Sequence, residues 1–267
     1  MVSKNLNSEG IIEAEIIRIR EQQRSREKDC LIREIPLTIF FNERELVTLL
    51  CSPEKLDYLA VGFLRSEGLL ESKDDLEEIN VDVEKGLVFV RTKTSTDLVE
   101  KLYGKRTITS GCGKGTLFAH VLDSLQSKRV ESPLQVKAGE LFKLMAALQK
   151  ASLLFKTTGG VHSAALAVSD KILFYSEDIG RHNAVDKIVG ECILENVPLE
   201  DKILLSSGRI SSEIVVKGAK LGLPLIVSRS APTSLSVELA DKMGITLVGF
   251  VRGRRLNIYA HEARISL

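Results

Sequence analysis

Apolar and polar positions change period along this chain, and the changes divide it. Residues 1–28 are polar, with the charge-dense stretch REQQRSREKD, and read as a solvated leader, a mobile arm or partly helix. Over residues 31–51 two β-rich runs, LIREIPLTIFF and ELVTLLC, flank the turn-like Asn42-Glu43-Arg44. Ser52-Pro53-Glu54 has the form of an N-cap followed by proline at the first helical position. It predicts a helix that runs to about Ser66 and is stopped by Gly68. Strands are predicted over residues 78–83 and 87–92, turning at Lys85-Gly86. SGCGKGT, residues 110–116, has three glycines in seven positions, which forbids a regular element and marks a loop. Residues 132–155 predict a helix with Pro133 near its start and an apolar face of Leu141, Leu144, Met145, Leu148 and Leu153.

From there short apolar strands alternate with helices. AALAV, the turn SDK and ILFYS predict a hairpin over residues 164–176, followed by a helix over 183–195. Strands over 202–206, 224–228, 246–251 and 256–260 then enclose helices over 211–221 and 234–243. This order implies a layered α/β sheet whose short apolar strands are covered on both faces, as parallel strands are. The expected organisation is a leader (1–28), an N-terminal α+β portion ending in the glycine loop (29–130) and an α/β portion (131–267).

The 267 residues suffice for one large domain or two small ones, and the formal net charge of +1 gives no global attraction to nucleic acid or an anionic membrane. MVSKNLNSEG lacks the apolar core of a signal peptide and no apolar run reaches the length of a membrane span, so a cytoplasmic location is expected. The four cysteines, 30, 51, 112 and 192, form no C-x-x-C pair, so neither a protein-held metal nor a dithiol motif is supported. Cys51 and Cys192 fall within apolar patterns and read as buried; Cys30 follows a charged stretch and reads as inert.

In open α/β sheets ligands bind beyond the carboxyl ends of the strands. Here those positions hold Arg181-His182-Asn183, Ser207-Gly208-Arg209, Arg229-Ser230, and Arg252-Gly253-Arg254-Arg255. Asn183, Ser211 and Thr233 or Ser234 are candidate helix caps at the same rim. Helix N-termini offer free N–H groups and arginine adds bidentate donors, the chemistry of a phosphate or pyrophosphate site. Caps and turns alone would account for each serine, threonine or asparagine, but not for an arginine in all four loops. Cys112 lies two residues from Lys114, which favours a thiolate able to accept and hold persulfide sulfur; a turn that happens to contain a cysteine is the other reading. His162 and His182 are each an acid–base or anion-contact candidate, or equally a hydrogen-bonded structural histidine, while His120 and His261 have no such context.

Taken in order, SGCGKGT, TGGVHSAAL, EDIGRHNAVDKIVG, SSGRISSEIVVKGAKLGLP, SRSAPTSLSVELA and GFVRGRRLNIYA resemble the formate dehydrogenase accessory sulfurtransferase family, FdhD, over residues 31–260. The resemblance implies a layered α/β/α fold similar to that of cytidine deaminase, with a smaller β-containing N-terminal portion. It implies a sulfurtransferase that takes persulfide sulfur from a cysteine desulfurase and passes it to a bis-molybdopterin guanine dinucleotide molybdenum cofactor, bound as substrate and needed by formate dehydrogenase. It also implies a homodimer, and a cofactor-binding segment at Phe250, Val251, Arg252, Gly253, Arg254 and Arg255. The family's loop is typically C-G-x-C-G. This chain keeps Cys112 but has Gly115 at the second cysteine position, which rules out a C-x-x-C disulfide mechanism and leaves a one-cysteine relay. Zinc deamination is excluded because His162 is followed by Ser163-Ala164 and no P-C-x-x-C exists. A non-catalytic chaperone that binds and delivers the guanine dinucleotide is the other function consistent with the motifs.

Overall fold

The computed structural model describes residues 10–93, 107–108, 114–115 and 129–267. Its first element departs from the expected leader: β1 (Ile11–Arg20) and β2 (Gln23–Ile32) pair antiparallel as a long hairpin. Apolar residues alternate with charged ones over part of β1, a period-2 signal that the density of charge conceals. The hairpin leads into β3 (Ile35–Phe41), β4 (Arg44–Cys51), α1 (Leu56–Glu67), β5 (Leu76–Asp82) and β6 (Leu87–Thr92). These strands form a four-stranded sheet in the order β4-β3-β6-β5, with β3 and β6 parallel. Leu37, Ile39, Val88 and Val90 pack from the sheet onto Leu59, Leu64 and their neighbours in α1. The helix does not begin at Pro53. Lys55, in the left-handed region at φ 56°, turns the chain into it. The would-be cap Ser52 instead donates its N–H and hydroxyl to Asp178, each at 3.1 Å.

Two-residue strands β7 (Thr107–Ile108) and β8 (Lys114–Gly115) pair with each other. Cys112 and its neighbours Gly111 and Gly113, like His120, lie outside the described residues. The chain continues through β9 (Val136–Lys137), α2 (Ala138–Ala151), α3 (Leu153–Thr158), β10 (His162–Val168), β11 (Lys171–Asp178), α4 (Arg181–Leu194) and β12 (Ile203–Ser206). It ends with α5 (Ser212–Lys220), β13 (Leu225–Ser228), α6 (Ser234–Met243), β14 (Thr246–Arg252), β15 (Arg255–Ala260) and β16 (Ile265–Ser266). The helix expected from residue 132 starts at Ala138, because Val136–Lys137 pairs with Ile265–Ser266, and it breaks at Ser152. That break frees the Ser152 hydroxyl and the first amides of α3 to bind Glu177.

The larger sheet has the order β11-β10-β12-β13-β14-β15, parallel over β12-β13-β14 and antiparallel at both sides. One face packs on α2 through Leu141, Leu144, Leu148, Leu205 and Val227. The other packs on α4, α5 and α6 through Val185, Ile188, Ile214, Ile226 and Leu239. The result is a layered α/β/α arrangement with the smaller sheet-and-helix unit beside it.

The two units meet where α1 crosses α4, and two glycines permit the approach. A Cβ on Gly62 would stand 1.8 Å from the Asp186 carbonyl oxygen, and one on Gly190 1.9 Å from that of Tyr58. Among the described residues no helix is long and apolar enough to cross a membrane.

Candidate functional site

Parallel pairing places the carboxyl ends of β12, β13 and β14 on one edge of the sheet. Because β10 runs antiparallel to β12, its first residue, His162, reaches the same edge. Hydrogen bonds then tie the loops into a continuous rim. The Ser207 amide donates to the Ser163 carbonyl at 2.9 Å, and the Ser228 hydroxyl donates to the Gly208 carbonyl at 2.6 Å. The Ile210 amide reaches Ala231 and the Thr233 amide reaches Ile210, both at 3.0 Å. The Phe250 amide donates to the Ser230 carbonyl at 3.1 Å, and Arg252 Nε to the Arg229 carbonyl at 3.1 Å. A Cβ on Gly208 would lie 3.1 Å from Arg181 Cβ and 3.4 Å from His162 Nδ1, so glycine is what lets these three chain segments meet.

On this frame Arg209, Arg229, Arg252, Arg254 and Arg255 are exposed, Arg181 and His182 half-buried. The Arg252 guanidinium also lies over the Phe250 ring at 5.4 Å. Phe250 and Gly253 take positive φ, 52° and 60°, which bends the strand end and carries Arg254 and Arg255 out on the β14–β15 turn. Several guanidinium groups along one rim, next to the N-termini of α4, α5 and α6, form a surface suited to a phosphate or diphosphate.

Two residues assigned to the rim point elsewhere. Val251 is buried and packs with Val248 against the α2 side, so only its backbone borders the rim. Asn183 is not a cap: Gly180 holds that position, and the Asn183 amide donates to Leu50 O and Asp178 Oδ1, both at 2.9 Å. Thr233 does cap α6, accepting from the Ser236 amide. Ser211 occupies the N-cap of α5 but makes no side-chain cap bond; its hydroxyl lies 3.1 Å from His182 Nε2, which also contacts Glu213 at 2.8 Å. His261 bonds the Asp241 carbonyl at 2.8 Å and lies away from the rim, near the C-terminus of α6.

Burial, and after it the charges of Arg181, His182 and Arg209, holds His162 below its usual pKa of 6.5. His162 therefore stays neutral in the folded protein at pH values where the unfolded chain binds a proton. Its contribution is fully present above pH 6.5 and is lost as pH falls through the folded value. Urea midpoints measured between about pH 7.5 and 5.5 are expected to fall with pH, and a His162→Gln variant to show a shallower fall; equal slopes would contradict this.

Sequence reasoning missed the network beneath the rim. Lys187 Nζ pairs with Asp178 Oδ2 at 2.7 Å, both side chains essentially inaccessible. The ammonium also donates to the Ser52 hydroxyl at 2.8 Å. Asp178 in turn accepts from the Gly180 amide at 2.9 Å, fixing the entry into α4. The signal was available in Asp186-Lys187, two charges between Ala184-Val185 and Ile188-Val189: a helix apolar on all sides holds charges only if they are paired. Asp186 meets Lys217 at 2.6 Å and the Ser66 hydroxyl at 2.7 Å.

Burial pushes the Cys51 and Cys192 thiols up to about 12, so neither is a nucleophile at neutral pH. Cys30 lies half-buried on β2. Among the described residues no cluster of His, Cys, Asp and Glu is arranged to hold a metal ion.

Comparison with known proteins extends these observations to nearly the whole chain. It is 43% identical over 247 residues to the sulfur carrier protein FdhD of Bacillus pumilus, covering 92% of this chain and 94% of that one. It is 39% identical over 251 residues to the protein of the same name from Bacillus subtilis, covering 94% and 96%. A crystal structure of a formate dehydrogenase accessory protein from Desulfotalea psychrophila superposes with a TM-score of 0.78 at 25% identity, covering 96% of this chain and 99% of that one. Residues 32–266, which hold the four-stranded sheet, the layered sheet and the entire arginine rim, match the FdhD/NarQ family, and the chain belongs to it.

Proposed function

We propose that this protein is a sulfurtransferase that accepts persulfide sulfur from a cysteine desulfurase on Cys112. It passes that sulfur to a bis-molybdopterin guanine dinucleotide molybdenum cofactor, bound as substrate and destined for formate dehydrogenase. The observation that carries the reading is the rim, where Arg181, Arg209, Arg229 and Arg252 converge on one sheet edge. The name sulfur carrier, borne by relatives about as long as this chain, is consistent with it. In the first step the Cys112 thiolate attacks the terminal sulfur of the desulfurase persulfide. A new S–S bond forms on Cys112, the old one breaks, and the desulfurase cysteine leaves as thiolate. The rim holds a guanine nucleotide end through its diphosphate. One rim grips one end, so a homodimer presenting two rims accommodates both. The layered sheet supports a likeness to the cytidine deaminase fold without its chemistry, and the reaction is placed in the cytoplasm.

Titration calorimetry with GDP tests the rim. Binding is expected for the parent. Arg252→Ala or Arg209→Ala should weaken it about tenfold or more, the loss of a charge-assisted hydrogen bond to phosphate. A folded parent that gives no heat with GDP would remove the site.

The chaperone reading keeps one specific support: Gly115 stands where the family's loop usually has a second cysteine. It requires the same rim but no sulfur on Cys112.

A further inference from the structure

We infer that the outer face of the four-stranded sheet is a docking surface for an arginine-bearing segment of a partner protein, whose guanidinium group stacks on Phe89 between Glu43 and Glu78. The inference goes beyond the sulfur chemistry and does not use the rim. In β3 and β6 successive residues face opposite ways. Leu37, Ile39, Val88 and Val90 turn inward onto α1, which sends Phe40 and Phe89 outward. Pairing of β3 with β6 sets the two rings side by side, with centroids 4.8 Å apart and planes at 22°. That stack stabilises the sheet, yet Phe89 remains 42% exposed. In the register of β5 with β6, Asn80 lies across from Phe89 and Glu78 across from Arg91, all on the same face. Glu43, at the β3–β4 turn, joins these residues around a cleft of about 230 Å³. The cleft is smaller than the ~300–1,000 Å³ of a typical small-molecule site, so it suits a single inserted side chain.

Charge selects the occupant. Residues 71–84, which include the edge strand β5, carry seven carboxylates against one lysine. At the cleft itself Arg91 pairs with Glu78 at 3.3 Å but stands 4.0 Å from Glu43, whose side chain is 86% exposed. Two carboxylates thus share one guanidinium group, and the cleft keeps a net negative charge. An incoming arginine meets both features at once: its fork matches a carboxylate and its planar face lies on an aromatic ring. A lysine ammonium offers neither the fork nor the plane. A partly exposed aromatic side chain with charge of one sign around it is the form of an interface anchor. The arginine rim repels a basic segment, so the two charged surfaces of this chain select opposite ligands although its net charge is +1.

Fluorescence anisotropy of the full chain with a labelled synthetic peptide alternating arginine with serine tests this. Micromolar binding is expected, as for small transient contacts. Phe89→Ala should weaken it about tenfold, the loss of the stacked ring. Glu43→Gln with Glu78→Gln, both at exposed positions, should weaken it about tenfold or more. If circular dichroism shows that Phe89→Ala does not fold, Phe89→Leu, which keeps an apolar side chain but removes the ring, takes its place with the same expected direction. The matching citrulline peptide, which has nearly the same shape without the charge, should not bind up to about 1 mM. The matching lysine peptide should bind several-fold more weakly than the arginine peptide. A parent that binds none of the peptides, whether another segment of this chain or a second copy covers the face, overturns the inference. Binding that either set of folded variants leaves unchanged, or that treats lysine and arginine alike, marks a diffuse attraction to the acidic strand and overturns it as well.

Discussion

A Lys187→Met variant is expected to lose about 3–5 kcal/mol of stability in urea unfolding, the cost of stranding a buried charge. Asp178 is inaccessible, and without the ammonium at 2.7 Å it keeps only the neutral donors of Ser52, Gly180 and Asn183. The consequence reaches the rim, because Asp178 fixes the turn that aims Arg181 and His182. Adding Asp178→Asn to Lys187→Met removes the stranded charge and should recover a substantial part of the loss. A single-variant loss below about 1 kcal/mol, or a double variant worse than the sum of the singles, would mean that the pair is not what holds this junction.

Cys112→Ala is expected to abolish sulfur delivery, leaving formate dehydrogenase activation at the level seen without the protein. GDP affinity should stay at the parent value, since the rim is built from β10–β15 and the helices between them. The two readings diverge completely here: a chaperone variant lacking Cys112 would still activate. Cys51 and Cys192 cannot substitute, because burial keeps both protonated.

The layered half of the fold was legible because its signals are local. Strands such as ILLS and LIVS are apolar throughout, and the helices between them carry a clear apolar face. From that alternation alone the rim could be placed at the strand ends. What escaped were effects of tertiary pairing. Ser52 has every local mark of a helix cap, yet a carboxylate 126 positions away claims it. Asn183 is likewise drawn off the rim by Leu50 and Asp178. Ser152 interrupts a helix whose apolar spacing continues, because Glu177 needs its hydroxyl. The hairpin at residues 11–32 was obscured for a different reason: density of charge outweighed a short period-2 alternation.

The central claim, that one cysteine carries the sulfur, is tested most directly by peptide mass spectrometry after incubation with a cysteine desulfurase and cysteine. The prediction is one added sulfur atom on the peptide containing Cys112, reversed by a thiol reductant, with Cys30, Cys51 and Cys192 unmodified. Sulfur found on one of those three with Cys112 untouched, or no added sulfur on a folded protein beside an active desulfurase, would contradict it.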